Sequence, residues 1–111
     1  MPTIELGGKQ IEVDEDGYLV SLDDWTKEIG ESMAKQDACE LTDAHWEVIN
    51  FLRDYYQKYQ IAPMIKILVK EIAKVMGPEK GNTKYLYELY PDGPAKQACR
   101  YAGLPKPTGC V

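Results

Sequence analysis

From Thr42 to Gly103 the chain carries helix-stopping residues at short intervals, and between the stops its apolar residues recur every three or four positions. That pattern confines this part of the chain to a series of short amphipathic helices. Thr42 caps a helix in which Trp46, Ile49, Leu52 or Arg53, and Tyr56 form one stripe, widened by Val48, Phe51, Tyr55 and Tyr59. Pro63 suits the first turn of the next, through Ile65, Leu68, Val69, Ile72 and Met76 to the stop at Gly77-Pro78. Gly81-Asn82 opens a short helix through Tyr85, Leu86 and Leu89, ended by Pro91. Pro94 starts a last one through Ala95, Ala98 and Cys99 to Ala102, with Gly103 placed to cap it.

The N-terminal part has a different period. Residues 3–6 and 10–13 flank Gly7-Gly8, a hairpin signal, and Asp14-Glu15-Asp16-Gly17 is a second turn before a third short strand from Tyr18 to Val20. Asp23 or Asp24 is placed to cap a helix whose row is Trp25, Ile29 and Met33. The fold class is α+β, mainly α: a small antiparallel β-meander (1–22) packed on an array of about five helices (23–102), with a mobile C-terminal arm (103–111). At 111 residues this is one domain. With 44% hydrophobic and 28% charged residues the chain has the composition of a folded globule, and its formal net charge of -5 weighs against a nucleic-acid protein. No apolar run approaches membrane-spanning length and the N-terminus lacks a signal-peptide pattern, so the expected compartment is the cytoplasm.

The three cysteines, at 39, 99 and 110, are an odd number and do not suggest the disulfide framework of a small secreted domain. Cys110 stands one residue from the end, after Pro105, Pro107 and Gly109. Two prolines exclude helix there and favour extended backbone, while Gly109 leaves the last joint free. An arm extended from Gly103 to Cys110 has a reach of about 23 Å, enough to carry a thiol into another protein. Cys99 lies eleven positions earlier, about one helical turn before the Gly103 break. A folded-back tail brings the two sulfurs to disulfide range, or to a bridge containing one more sulfur, and an extended tail separates them. Lys106 and Arg100 are near enough in sequence to offset the terminal carboxylate and to attract an anionic sulfur species.

Structural readings stand beside these. Cys99 shares a helical spacing with Ala95, Ala98 and Ala102 and also reads as a packed core thiol, and Cys39 has no partner at motif spacing. Three cysteines and His45 supply four potential zinc ligands, but no Cys-x-x-Cys or His-x-x-x-His occurs. His45 reads as a cap-region or surface residue of its helix. The short connection at Gln60-Ile61-Ala62-Pro63 keeps a helix-turn-helix, DNA-binding reading open, against the acidic balance.

The segment 93–111, ending Gly103-Leu104-Pro105-Lys106-Pro107-Thr108-Gly109-Cys110-Val111, closely resembles the C-terminus of the DsrC/TusE family, and the likeness extends through 14–19, 41–63 and 80–90. The resemblance implies a sulfur carrier, a protein co-substrate without independent enzymatic activity. Its penultimate cysteine, here Cys110, enters a channel of dissimilatory sulfite reductase toward the sirohaem and receives sulfur. Cys99 then joins it around a third sulfur atom as a trisulfide, and a membrane electron-transfer complex with a heterodisulfide-reductase-like subunit turns that product over. Sirohaem and iron-sulfur clusters are implied for the partner's alpha and beta subunits, and no bound cofactor for this chain. The TusE branch, which relays persulfide from sulfur donors toward tRNA 2-thiouridine, is similar but keeps only the terminal cysteine, so Cys99 favours the DsrC branch. Either direction, sulfite reduction or sulfur oxidation, is compatible with the same two cysteines.

Overall fold

The computed structural model describes residues 3–6 and 8–107. Strands β1 (Thr3–Leu6) and β2 (Lys9–Glu12) pair antiparallel with Thr3 opposite Glu12 and Leu6 opposite Lys9. Helices α1 (Lys27–Gln36), α2 (Asp43–Tyr59), α3 (Ile65–Met76), α4 (Thr83–Leu89) and α5 (Pro94–Tyr101) follow. The architecture is therefore the mainly helical α+β arrangement expected, with two corrections near the N-terminus.

First, the meander is a two-stranded hairpin: 18–20 contributes only an isolated bridge, Leu19 to Val13. The cause is local. The Asp14 carboxylate accepts from the backbone N–H groups of Asp16 and Tyr18 at 2.9 Å each, and Gly17 turns with φ 87°. This side-chain-bonded turn leaves only a short stretch free for strand pairing. Second, Asp23 and Asp24 lie in a 3-10 turn (Leu22–Asp24), and Thr26 caps α1, its hydroxyl accepting from Ile29 N–H at 3.2 Å. Trp25 is left outside the helix with extended backbone.

The other boundaries follow their signals. α2 begins after Thr42, whose N–H donates to His45 Nδ1 at 3.1 Å, a reciprocal cap in which an imidazole occupies the position usually held by Glu or Gln. His45 Nε2 donates to the Leu89 carbonyl at 2.7 Å, so one buried ring in its Nε2-protonated form ties the start of α2 to the end of α4. α3 starts two residues after Pro63, and Gly77 ends it. Asn82 caps α4, its side chain accepting from Tyr85 N–H at 2.8 Å.

α5 is the centre of the molecule and packs on α1, α2, α3 and α4. Its residues are buried except Lys96 and Arg100, which face outward along one edge. Ala95, Ala98, Cys99 and Ala102 are small, so neighbouring helices approach closely. On α1 the matching residue is Gly30, where an added Cβ would come within 2.7 Å of the Tyr101 carbonyl oxygen. Ile49, Leu52, Leu68, Ile72, Leu86 and Tyr90 complete the core around α5. Among the described residues no helix is long and apolar enough to cross a membrane.

Candidate functional site

The end of α5 brings the chemistry-bearing residues to one place. Gly103 has φ 73°, the left-handed region where glycine is favoured. Leu104 N–H donates to the Cys99 carbonyl at 3.0 Å and Gly103 N–H to the Arg100 carbonyl at 3.1 Å, which together make a complete Schellman cap. The cap turns the chain back onto the body. Leu104 is 2% exposed and Pro107 is buried, while Pro105 is half-buried and Lys106 exposed. The arm expected to be free from Gly103 is thus seated as far as Pro107, because Leu104 and Pro107 gain more from apolar burial than from solvent. A reach counted from Gly103 requires those two side chains to leave their seats. Thr108, Gly109, Cys110 and Val111 lie outside the described residues.

Cys99 is wholly buried, and burial pushes its thiol from 9.0 up to about 12. Its resting position is that of the packed core thiol. Because the folded value is raised, the neutral thiol's contribution to stability is full below about 9 and is lost as pH rises toward about 12. Cys39 is shifted upward by burial, and Tyr18 is pushed to about 12 by burial first and then by proximity to Cys99. The urea midpoint is accordingly expected to hold steady from pH ~7 to ~8.5 and to decline above pH ~9. A midpoint unchanged to pH ~11 would contradict the buried thiol.

On the open edge of α5, Arg100 forms an ion pair with Asp37, and Tyr101 Oη donates to the same carboxylate at 2.7 Å. Gln97 Nε2 donates to Tyr101 Oη at 2.9 Å, and Gln97 Oε1 accepts from Asp92 N–H at 2.9 Å. Arg100 Nε is buried without a hydrogen-bond partner among the described residues. Lys106 Nζ donates to Asp16 Oδ2 at 3.0 Å, in a pair whose side chains are about half exposed and which therefore contributes at most about 1 kcal/mol. These groups border an open cavity of about 260 Å³ with Asp16, Tyr18, Asp37, Lys96, Arg100 and Lys106 in its wall. Both cations singled out in the sequence thus reach the same cavity, but each already holds a carboxylate.

Sequence reasoning missed those carboxylates, and also Trp25 and Arg53. Trp25 Nε1 donates to the Tyr101 carbonyl at 2.7 Å, and Arg53 Nη1 donates to the Ala102 carbonyl at 2.6 Å. No local motif marks any of the four. Cys39, assigned no partner, has its Sγ 4.0 Å from His45 Nε2.

Fold and site together define a small, mainly helical protein with a buried thiol near the end of its last helix. The profile of the DsrC-like protein family matches residues 5–111, and the chain belongs to that family. It is similar to the DsrC of Allochromatium vinosum, whose NMR structure has a TM-score of 0.88 at 63% identity and covers 98% of this chain and 97% of that one. The oxidized gamma-subunit of dissimilatory sulfite reductase (DsrC) from Archaeoglobus fulgidus, at 48% identity, superposes with a TM-score of 0.84 over 99% of this chain and all of that one. Among curated relatives, the sulfurtransferase TusE of Photorhabdus laumondii is 51% identical over 94% of each chain, and the TusE homolog of Haemophilus influenzae is 48% identical over 97% of this chain and 99% of its own.

Proposed function

We propose that this chain is a sulfur-carrier protein and co-substrate of dissimilatory sulfite reductase, taking sulfur on Cys110 and closing it against Cys99 as a trisulfide. The observation that carries the reading is the position of Cys99: it stands on the last turn of α5, its carbonyl accepting from Leu104 N–H in the segment that leads to Cys110. On this reading, release of Leu104 and Pro107 from their seats lets the segment beyond that turn fold back toward Cys99. The chain's likeness to the DsrC structures from Allochromatium and Archaeoglobus supports the same reading.

The chemistry balances with two electrons from the partner. One sulfite, two thiols, two electrons and four protons give one trisulfide and three waters, with both cysteine S–H bonds lost and two S–S bonds formed. Arg100 and Lys106 are the groups here able to hold an anionic sulfur species, once it displaces Asp37 or Asp16 from them. Any sirohaem or iron-sulfur cluster would belong to the reductase, and a membrane electron-transfer complex would supply turnover of the product.

A second reading, a TusE-like persulfide relay toward tRNA thiolation, is favoured by the TusE relatives, which match nearly the whole chain. Intact-mass analysis after incubation with sulfite reductase, an electron donor and sulfite separates the two. One added sulfur with loss of two hydrogens, mapped to Cys99 and Cys110, is expected for the carrier. One added sulfur on Cys110 with hydrogens retained would favour the relay. Cys110→Ser is expected to abolish loading in either case, and loading that survived it would sink both.

A further inference from the structure

Cys99 can join Cys110 only if its thiol is uncovered, and the turn that carries it is closed by a set of bonds to its carbonyls. Every carbonyl of the last turn of α5 is held. Ala98 accepts from Ala102 N–H at 2.9 Å, Cys99 from Leu104 and Arg100 from Gly103 as above, and all of these are local. The last two carbonyls, Tyr101 and Ala102, are held by groups from elsewhere: the Trp25 indole N–H and the Arg53 guanidinium. These two donors brace each other, with Arg53 Cζ 3.9 Å from the centre of the Trp25 ring. The same indole lies against Gly103, where a Cβ would fall 2.4 Å from Trp25 Cδ1. Helix-end carbonyls have no partner further along the helix, so distant donors can fix or release the end without disturbing the rest.

We infer that Trp25 and Arg53 are positioning residues for the sulfur chemistry: as a clamp on the Tyr101 and Ala102 carbonyls they keep the cap of α5 shut over Cys99, and the thiol reacts only when the clamp opens. Leu104 and Cys99 occupy the two cap positions whose side chains meet in this motif, and both are buried. Lifting Leu104 breaks its N–H bond to the Cys99 carbonyl and uncovers that turn. A cavity of about 240 Å³ bordered by Leu22, Arg53, Tyr56, Gln60 and Leu104 leaves room beside the clamp for Leu104 to move. The purpose assigned to the clamp rests on the carrier reading, but its operation is measurable without any sulfur.

The test is alkylation by iodoacetamide of the full chain carrying Cys110→Ser, at fixed pH, with Cys39 and Cys99 read separately by peptide mass. Exchange through a local opening makes the Cys99 rate report the opening equilibrium. Trp25→Phe keeps a ring over Gly103 and removes the indole donor, and is expected to speed Cys99 about fivefold. Arg53→Met keeps much of the side-chain stem and removes the charged donor and its bracing of the indole, and is expected to speed Cys99 about tenfold or more. Arg53→Lys, retaining a cation within reach of one carbonyl, is expected to fall between parent and Arg53→Met. In each variant Cys39 should keep its parent rate. Cys99 rates within roughly twofold of the parent in both Trp25→Phe and Arg53→Met would overturn the clamp, as would Cys39 and Cys99 rising together, which is the mark of general loosening. Accelerated Cys99 alkylation in the Cys110→Ser background, beside a parent protein with Cys110 intact that accepts no sulfur from sulfite reductase, would uphold the clamp and discard the carrier reading.

Discussion

A Cys99→Ala protein is expected to form no internal trisulfide at all, while Cys110 still takes up sulfur and accumulates it as an adduct with its hydrogens retained. The loss is complete because the remaining cysteine offers no substitute. Cys39 follows α1, near the start of α2, where its sulfur lies 4.0 Å from the His45 ring that itself bonds to the Leu89 carbonyl. The fold should survive the change. Removing one buried sulfur from the core costs about 1 kcal/mol, a small part of the stability of a domain this size. Intact mass and peptide mapping after loading provide the readout, with a urea titration to verify folding. An internal trisulfide that persisted in Cys99→Ala would refute the division of roles between the two cysteines.

The second large effect concerns the cap of α5. Gly103→Ala is expected to destabilise the protein by about 2–5 kcal/mol, the sum of two separate causes. With φ 73° the alanine side chain meets its own carbonyl, which costs roughly 1–2 kcal/mol. Its Cβ would also fall 2.4 Å, 2.6 Å and 2.7 Å from Cδ1, Cγ and Cβ of Trp25. Those atoms are the root of the indole, not the tip of a flexible side chain, so relief requires moving Trp25 off the Tyr101 carbonyl, an overpacking cost of about 1–3 kcal/mol. Urea unfolding with an unchanged slope measures the sum. Adding Trp25→Ala should recover the overpacking part and leave the backbone part, so the two substitutions should be strongly non-additive. A loss below about 1 kcal/mol for Gly103→Ala alone would mean that Gly103 does not hold the left-handed cap described here.

Both effects converge on one turn, where the carrier reading requires a core thiol to act as a reagent. Buried, Cys99 is protected from adventitious oxidation and is held almost wholly as the neutral thiol, its ionisation pushed up to about 12. Reaction requires a change of helix-end geometry, and the bonds at stake are few: two cap bonds and two braces from Trp25 and Arg53. A barrier of that kind is low enough for local opening and high enough to keep the resting state closed.

Much of the plan is legible without a structure. Apolar spacing, together with Thr42, Asn82, Pro94 and Gly103, is enough to place α2, α4 and α5 within a residue or two, because helix period and helix ends depend on neighbours three or four positions away. The same reasoning errs where two local signals compete. Trp25 lies in row with Ile29 and Met33, yet Thr26 takes the cap, and Asp14 diverts the backbone donors that a third strand would use. The residue spacing of Cys99 and Cys110 is likewise a property of the sequence alone.

What tertiary structure decided is everything that crosses long intervals of chain. Asp37 reaches Arg100, Asp16 reaches Lys106 ninety positions away, and Trp25 reaches Tyr101 seventy-six positions away. No periodicity encodes such pairs, since they exist only once α1, α2 and α5 have packed. The sequence by itself determined that a cysteine would stand at the last turn of a proline-started, glycine-capped helix. Only the packing of that helix at the centre of the core buried the thiol, because α1, α2, α3 and α4 all close on α5 once the chain has folded.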